Sequence, residues 1–97
     1  MFHGKNELLY DKDFLKDARA LPTTQQNKLA DLLEIFQDQP FHPLLHTKPL
    51  GAPLQGMFSF RVTRGYRVGF KFDTSHTIRL LATGHRNTFY KKLRRKK

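Results

Sequence analysis

Arginine binds phosphate but cannot serve as a base: its planar fork of donors matches two phosphate oxygens, and its charge is permanent. Three arginines in the second half of the chain stand at the ends of strand-like segments. Arg61 closes "FSFR", Arg67 closes "RGYR", and Arg86 follows Gly84 in "ATGHR". Tyr90 lies four residues past Arg86, the spacing of side chains that share one face of a helix. Guanidinium groups beside a phenol suit a phosphodiester. The cations stabilise charge that develops on a bound phosphate, and Tyr90 can be brought over the same spot. The histidines His3, His42, His46, His76 and His85 are dispersed, cysteine is absent, and no carboxylates stand with them at ligand spacing, so neither a metal nor a cofactor is expected. His85 reads either as a strand-end residue bonded to backbone or as a proton donor, and His42 and His46 flank a loop.

A sheet must hold these groups. Phe58, Phe60 and Val62, then Tyr66, Val68, Phe70 and Phe72, then Ile78, Leu80 and Ala82 alternate with polar residues, which predicts three successive strands. A two-residue loop at Arg64-Gly65 mismatches the apolar faces. A three-residue loop, Thr63-Arg64-Gly65 with Gly65 left-handed, pairs Phe58 with Phe70, Phe60 with Val68 and Val62 with Tyr66. Arg61 then lies across from Arg67, a like-charge pair that is unfavourable unless an anion sits between them. In the next hairpin, turning through "DTSH", the same matching sets Phe70 beside Leu80, Val68 beside Ala82 and Arg67 beside Thr83. Gly84 then lets the chain bend and brings His85 and Arg86 to the same end of the sheet.

The first half supplies the support. "ELLY" predicts a strand. "DKDFLKDARAL" places Phe14, Leu15, Ala18 and Leu21 on one helical face, with Asp11 or Asp13 as N-cap. Pro22 ends that helix, and Thr23 opens another as a capping box with Gln26, its buried stripe formed by Leu29, Leu32, Leu33 and Phe36. The segment Pro40 to Gly56 holds four prolines and two glycines and reads as a loop-rich crossover. The expected architecture is a single α+β domain over residues 1–97: an N-terminal strand and a two-helix hairpin packed on a small, mainly antiparallel twisted sheet, with a basic segment at 91–97.

The formal net charge is +10, from 18 Lys and Arg against 8 Asp and Glu, and only Asp73 is acidic after Asp38. Such a field attracts polyanions, nucleic acid foremost. The start "MFHGKNELLY" lacks the apolar core of a signal peptide and no run is long enough to span a bilayer, so a cytoplasmic protein without a membrane partner is expected.

"PLQGMFSFRVTRGYRVGFKF" followed by "IRLLATGHRNTFY" resembles the RelE/ParE superfamily of bacterial toxins, in which a Leu-x-Gly precedes a strand, a Tyr-Arg opens the next, and a Gly-x-Arg with a following aromatic lies near the C-terminus. The resemblance covers nearly the whole chain and implies a RelE-like fold. It implies the toxin of a type II toxin–antitoxin system, a metal-independent endoribonuclease that cleaves mRNA on the ribosome and so inhibits translation. The alternative it carries is a ParE-like toxin that inhibits DNA gyrase without cutting RNA. By position, Arg67 matches the family arginine that contacts the scissile phosphate, Arg86 the C-terminal catalytic arginine or histidine, Tyr90 a catalytic aromatic and Arg61 roughly a catalytic lysine. His46, Lys48, Lys71, His85, Lys91 and Arg94 are the expected RNA-binding residues. Lys48 stands near the place of a histidine used by YafQ-like members, and no carboxylate matches the base of YoeB. The implied partners are a cognate antitoxin, mRNA and the ribosome, with operator DNA reached only through the antitoxin.

Overall fold

The computed structural model describes residues 5–96; His3 and Lys97 lie outside them. In chain order the elements are β1 (Glu7–Tyr10), α1 (Lys12–Arg19), α2 (Thr23–Asp38), a short 3-10 turn (Pro43–Leu45), β2 (Lys48–Pro49), β3 (Phe58–Arg61), β4 (Tyr66–Thr74), β5 (Thr77–His85) and α3 (Arg86–Arg94). The five strands form one sheet in the order β1-β5-β4-β3-β2. β1 runs parallel to β5, and the other neighbours are antiparallel. This is the α+β architecture that the alternation and helical stripes predict. No helix among the described residues is long and apolar enough to cross a membrane.

The α1–α2 hairpin covers one face of the sheet. Phe14, Leu21, Leu29, Leu32 and Phe36 are buried there against Phe60, Val68, Phe70, Ile78 and Leu80. Phe36 is the centre of this layer, its ring 4.7 Å from those of both Phe60 and Phe70. Two expectations about the hairpin need correction. Leu15 is 40% exposed, because α1 packs on the core through Phe14 and leaves the neighbouring Leu15 in the open groove between the two helices. The Thr23–Gln26 capping box is not made: Pro22 is the N-cap, with no side-chain cap bond, and Gln26 instead donates to the carbonyls of Arg19 and Leu21, bracing the turn between the helices.

The other face carries α3 and the 50–57 loop. Phe89 and Leu93, one turn apart on α3, pack with Leu54, Met57, Leu81 and Ala82 into a second apolar cluster. Gly69 makes this approach possible. A Cβ at that position would lie 2.5 Å from a methyl carbon of the fully buried Leu93, so β4 and α3 touch where one strand residue has no side chain.

The β3–β4 register is as the pattern predicts, with Phe58 opposite Phe70, Phe60 opposite Val68 and Arg61 opposite Arg67. The turn differs in one respect. Gly65 does not adopt a positive φ; the N–H groups of Val62 and Thr63 both donate to the Tyr66 carbonyl, and this bulge absorbs the extra residue without a left-handed glycine. The β4–β5 register departs further. Phe70 faces Leu80 as expected, but a bulge leaves Leu81 over, so Gly69 faces Ala82, Val68 faces Thr83, and Arg67 faces Gly84 rather than Thr83. The bulge turns Ala82 toward α3, where it joins the second cluster instead of continuing the first.

Candidate functional site

Strand alternation assigns the faces. Arg67, Gly69 and Lys71 point to one side of β4, and Gly69 meets Leu93 of α3, so Arg67 and Lys71 share the α3 side of the sheet. Residues directly opposite one another share a face, which adds Arg61 beside Arg67, Ser59 beside Gly69 and Lys48 beside Ser59. The α3 side thus carries a row of Arg61, Arg67 and Gly84, with Lys48 one step along and Lys71 two. Thr83, read from sequence as the centre of the cluster, is on the other side: it is fully buried, and its hydroxyl donates to the Arg67 carbonyl at 2.8 Å.

Arg86 reaches this row through backbone. It is the first residue of α3, and its N–H donates to the Gly65 carbonyl at 2.8 Å, tying the helix start to the β3–β4 turn. His85 caps the helix: its Nδ1 accepts from the Asn87 N–H at 3.2 Å, so the neutral ring carries its hydrogen on Nε2. The ring packs edge-on against Tyr66, 5.4 Å between centroids. The first turn of α3 contains no acidic residue, so its positive end and Arg86 add to one another. Tyr90, one turn later, is half-buried against Phe89 and the apolar cluster, 5.0 Å between ring centroids, and so is both packed and partly open.

What orients α3 is a set of ion pairs to α1. Lys92 Nζ donates to Asp17 Oδ1 and to the Thr83 carbonyl, both at 3.1 Å, while Asp17 Oδ2 accepts from the Thr83 N–H at 3.2 Å. Lys96 Nζ donates to Asp11 at 3.1 Å and Asp13 at 2.7 Å. The hydrogen bond and charge of Lys96 hold the Asp13 carboxyl below its ordinary value. Burial alone would lower Lys96, but its bonds to Asp13 and Asp11 outweigh this and raise it. The basic end of the chain is therefore partly structural. Lys92 and Lys96 are anchors, while Lys91 and Arg94 are exposed.

The charges on the α3 side are not so compensated. Among the described residues the acid partners belong to Arg79, Lys92 and Lys96, and none pairs with Arg61, Arg67 or Arg86. Arg61 also lines a cavity of about 460 Å³ at the sheet edge, together with Lys28 of α2, His46 and Arg64. His46 sits there in a left-handed conformation, φ 51°, at the end of the 3-10 turn. The structure therefore brings Arg61, Arg67, Arg86 and His85 to one end of the sheet and sets His46 with Arg61 in the edge cavity. Lys48 and Lys71 share the α3 side at a distance of one or more residue pairs, and Lys91 and Arg94 lie on the exposed part of α3. Lys28, Arg64 and the Asp17–Lys92 pair were missed from sequence, since nothing in local spacing links a helix residue at 28 to a strand at 61.

The fold has solved counterparts. A chain of the toxin–antitoxin complex RelBE2 from Mycobacterium tuberculosis superposes with a TM-score of 0.71 at 24% identity, covering 84% of this chain and 92% of that one. The chain has the RelE-like toxin fold. A chain of the E. coli DinJ–YafQ toxin–antitoxin complex matches with a TM-score of 0.71 at 19% identity, covering 87% and 96% respectively. The YoeB/ParE toxin from Agrobacterium tumefaciens matches at 0.70 and 19%, covering 81% and 96%. No protein-family model and no curated protein matches the sequence. Within this RelE-like fold, the uncompensated arginines lie on the α3 side and the apolar hairpin on the other.

Proposed function

We propose that the chain, as one domain over residues 1–97, is the toxin of a type II toxin–antitoxin system and a metal-independent endoribonuclease that cuts mRNA in the cytoplasm, on the ribosome. The observation that carries this reading is Arg61 directly opposite Arg67 on the α3 side of a RelE-like fold, with Arg86 opening α3 beside the β3–β4 turn, none of the three with an acid partner among the described residues. A phosphodiester supplies the missing anion. The ribose 2′-oxygen attacks phosphorus as its proton leaves, the bond from phosphorus to the 5′-oxygen breaks, and that oxygen takes up a proton, giving a cyclic phosphate and a free 5′-hydroxyl. Arg67 and Arg61 hold the phosphoryl oxygens, Arg86 with the positive end of α3 stabilises the charge, and Tyr90 stacks on a base or meets the attacking hydroxyl. His85 Nε2, with its hydrogen, stands available as the donor to the leaving oxygen. Lys48, Lys71, Lys91, Arg94 and His46 hold flanking RNA backbone.

The proposed protein partner is an antitoxin, which also links the toxin to operator DNA. A shallow apolar groove on the α1–α2 hairpin, lined by Tyr10, Phe14, Leu15, Ala18, Leu29 and Leu33, suits an amphipathic helix from it. The test is induced expression of wild type, Arg67→Ala and Arg86→Ala, with growth curves and primer extension on a reporter mRNA. Growth arrest with discrete cuts in wild type alone supports the reading. Arrest with intact mRNA, or arrest that persists in both variants, refutes the nuclease and moves DNA gyrase forward as the target.

A further inference from the structure

The outer edge of β5 is only partly covered by a strand. β1 pairs with it from Glu7–Thr77 to Tyr10–Leu80 and stops there, so among the described residues no strand borders β5 beyond Leu80. Thr83 lies in that unbordered stretch and is nevertheless fully buried. Its N–H and C=O need partners, because a buried backbone group left unpaired is unfavourable. Two side chains supply them. Asp17 Oδ2 accepts from the Thr83 N–H at 3.2 Å, Lys92 Nζ donates to the Thr83 C=O at 3.1 Å, and the two side chains join through Asp17 Oδ1 at 3.1 Å. An acceptor facing the N–H and a donor facing the C=O are what a neighbouring strand presents, so the pair stands in for one.

The residues next to this cap carry the arginines. The Thr83 hydroxyl donates to the Arg67 carbonyl, and Gly84, next in the chain, pairs with Arg67. Lys92 passes Gly84 so closely that a Cβ there would lie 3.0 Å from Nζ. α3 is thereby tied to the sheet near both ends, by the Arg86 N–H on the Gly65 carbonyl and by Lys92 on the Thr83 carbonyl, with Tyr90 between them. We propose that Asp17 and Lys92 are positioning residues for RNA cleavage: by capping Thr83 they fix Arg86 and Tyr90 relative to Arg67, without touching the substrate themselves. The proposal rests on the RNA-cleaving reading above.

The test separates the edge bonds from the ion pair. Asp17→Asn gives up the ion pair but keeps an oxygen for the Thr83 N–H, whereas Asp17→Ala loses both. Asp17→Lys combined with Lys92→Glu restores an ion pair but sets a donor against the N–H and an acceptor against the C=O. The readouts are kcat and KM for mRNA cleavage on programmed ribosomes and hydrogen exchange of the Thr83 amide, at a temperature where circular dichroism shows the variants folded. In Asp17→Ala the amide exchanges fast and kcat falls by about 100-fold, the scale of a reacting group misplaced by roughly 1 Å, while KM holds because every arginine keeps its charge. Asp17→Asn retains amide protection and most of kcat, and the swapped pair behaves like Asp17→Ala. Equal kcat in the Asn and Ala variants, or wild-type kcat in the swapped pair, makes this an ordinary ion pair and overturns the proposal; the first comparison stands even if the swapped pair does not fold. A raised KM with unchanged kcat makes the pair part of RNA binding and overturns it too. A wild type that leaves RNA intact overturns the positioning role together with the function it rests on, and loss of Thr83 amide protection in Asp17→Ala then marks the cap as a feature of the fold alone.

Discussion

Arg67 sits opposite Arg61 in the antiparallel β3–β4 pair, both half-buried, so each holds its charge beside the other in the folded state and is freed of it on unfolding. Arg67→Gln removes one charge, keeps much of the side-chain stem, and leaves intact the Arg67 carbonyl that accepts from Thr83. A like-charge pair directly across two strands is unfavourable by about 0.2–1 kcal/mol. For a domain of this size that raises the melting midpoint by roughly 1–8 °C. Partial exposure puts the expected value in the lower half of the range, and in about 1 M salt, where the screening length is near 3 Å, the gain shrinks toward zero. RNA cleavage moves the other way, falling by about two to three orders of magnitude on loss of a phosphate donor. Thermal denaturation by circular dichroism at low and high salt, with cleavage measured on the same preparations, reads both. A variant that melts several degrees lower, or a gain indifferent to salt, refutes the claim that these arginines repel each other and await an anion.

Other substitutions test the scaffold. Phe36→Ala empties the centre of the helix-covered face and is expected to destabilise by about 3–5 kcal/mol in urea unfolding, which removes most of the stability of a domain at the low end of the ordinary range. Gly69→Ala drives a methyl group into Leu93 and should loosen α3, seen as faster amide exchange in residues 86–94 and reduced cleavage with β3–β4 unchanged. The depressed carboxyl of Asp13 stabilises the fold above the ordinary carboxylate range, and this contribution disappears as pH falls through the lowered value. The wild type should therefore be more stable than Asp13→Asn at pH 7, with the difference gone once the pH lies below the lowered value. Lys96, raised by its two aspartates, keeps its contribution at neutral pH and loses it only in strong alkali.

The parts of the fold that follow from period were legible. Alternation in "MFSFRVTRGYRVGFKF" decides the β3–β4 register because a slip by one residue would turn every phenylalanine to the wrong face. Helical spacing likewise gives Leu29, Leu32 and Phe36. The misreadings arise where a distant element decides a local conformation. The bulge at Leu81 exists because α3 needs Ala82 and Gly69 beneath Phe89 and Leu93, and that demand comes from residues further along the chain. Leu15 looks like a core residue on a helical wheel, but it lies at the open groove between α1 and α2 rather than under the sheet. In the candidate site Arg61, Arg67 and Arg86 were visible as a pattern, whereas Lys28 and Arg64 join them only through the path of the 40–47 segment around the sheet edge. Lys92 and Lys96 looked like tail charge because their aspartate partners lie 75 and more residues earlier.

Those distant pairings bear on when the cationic face is complete. β1 completes the sheet by lying beside β5, and Asp11, Asp13 and Asp17 fix α3 through Lys96 and Lys92, so nearly every contact that closes the structure spans most of its length. Contacts of such long range form late, because the loop they close is large. During synthesis the hairpin of β3 and β4 can leave the ribosome and fold while α3 is still in the exit tunnel. The helix that carries Arg86 and Tyr90 docks only after its last turn emerges. Translation thus sets the earliest moment at which the cationic row is whole, leaving an interval in which the proposed antitoxin could meet the α1–α2 hairpin before there is a finished site to restrain.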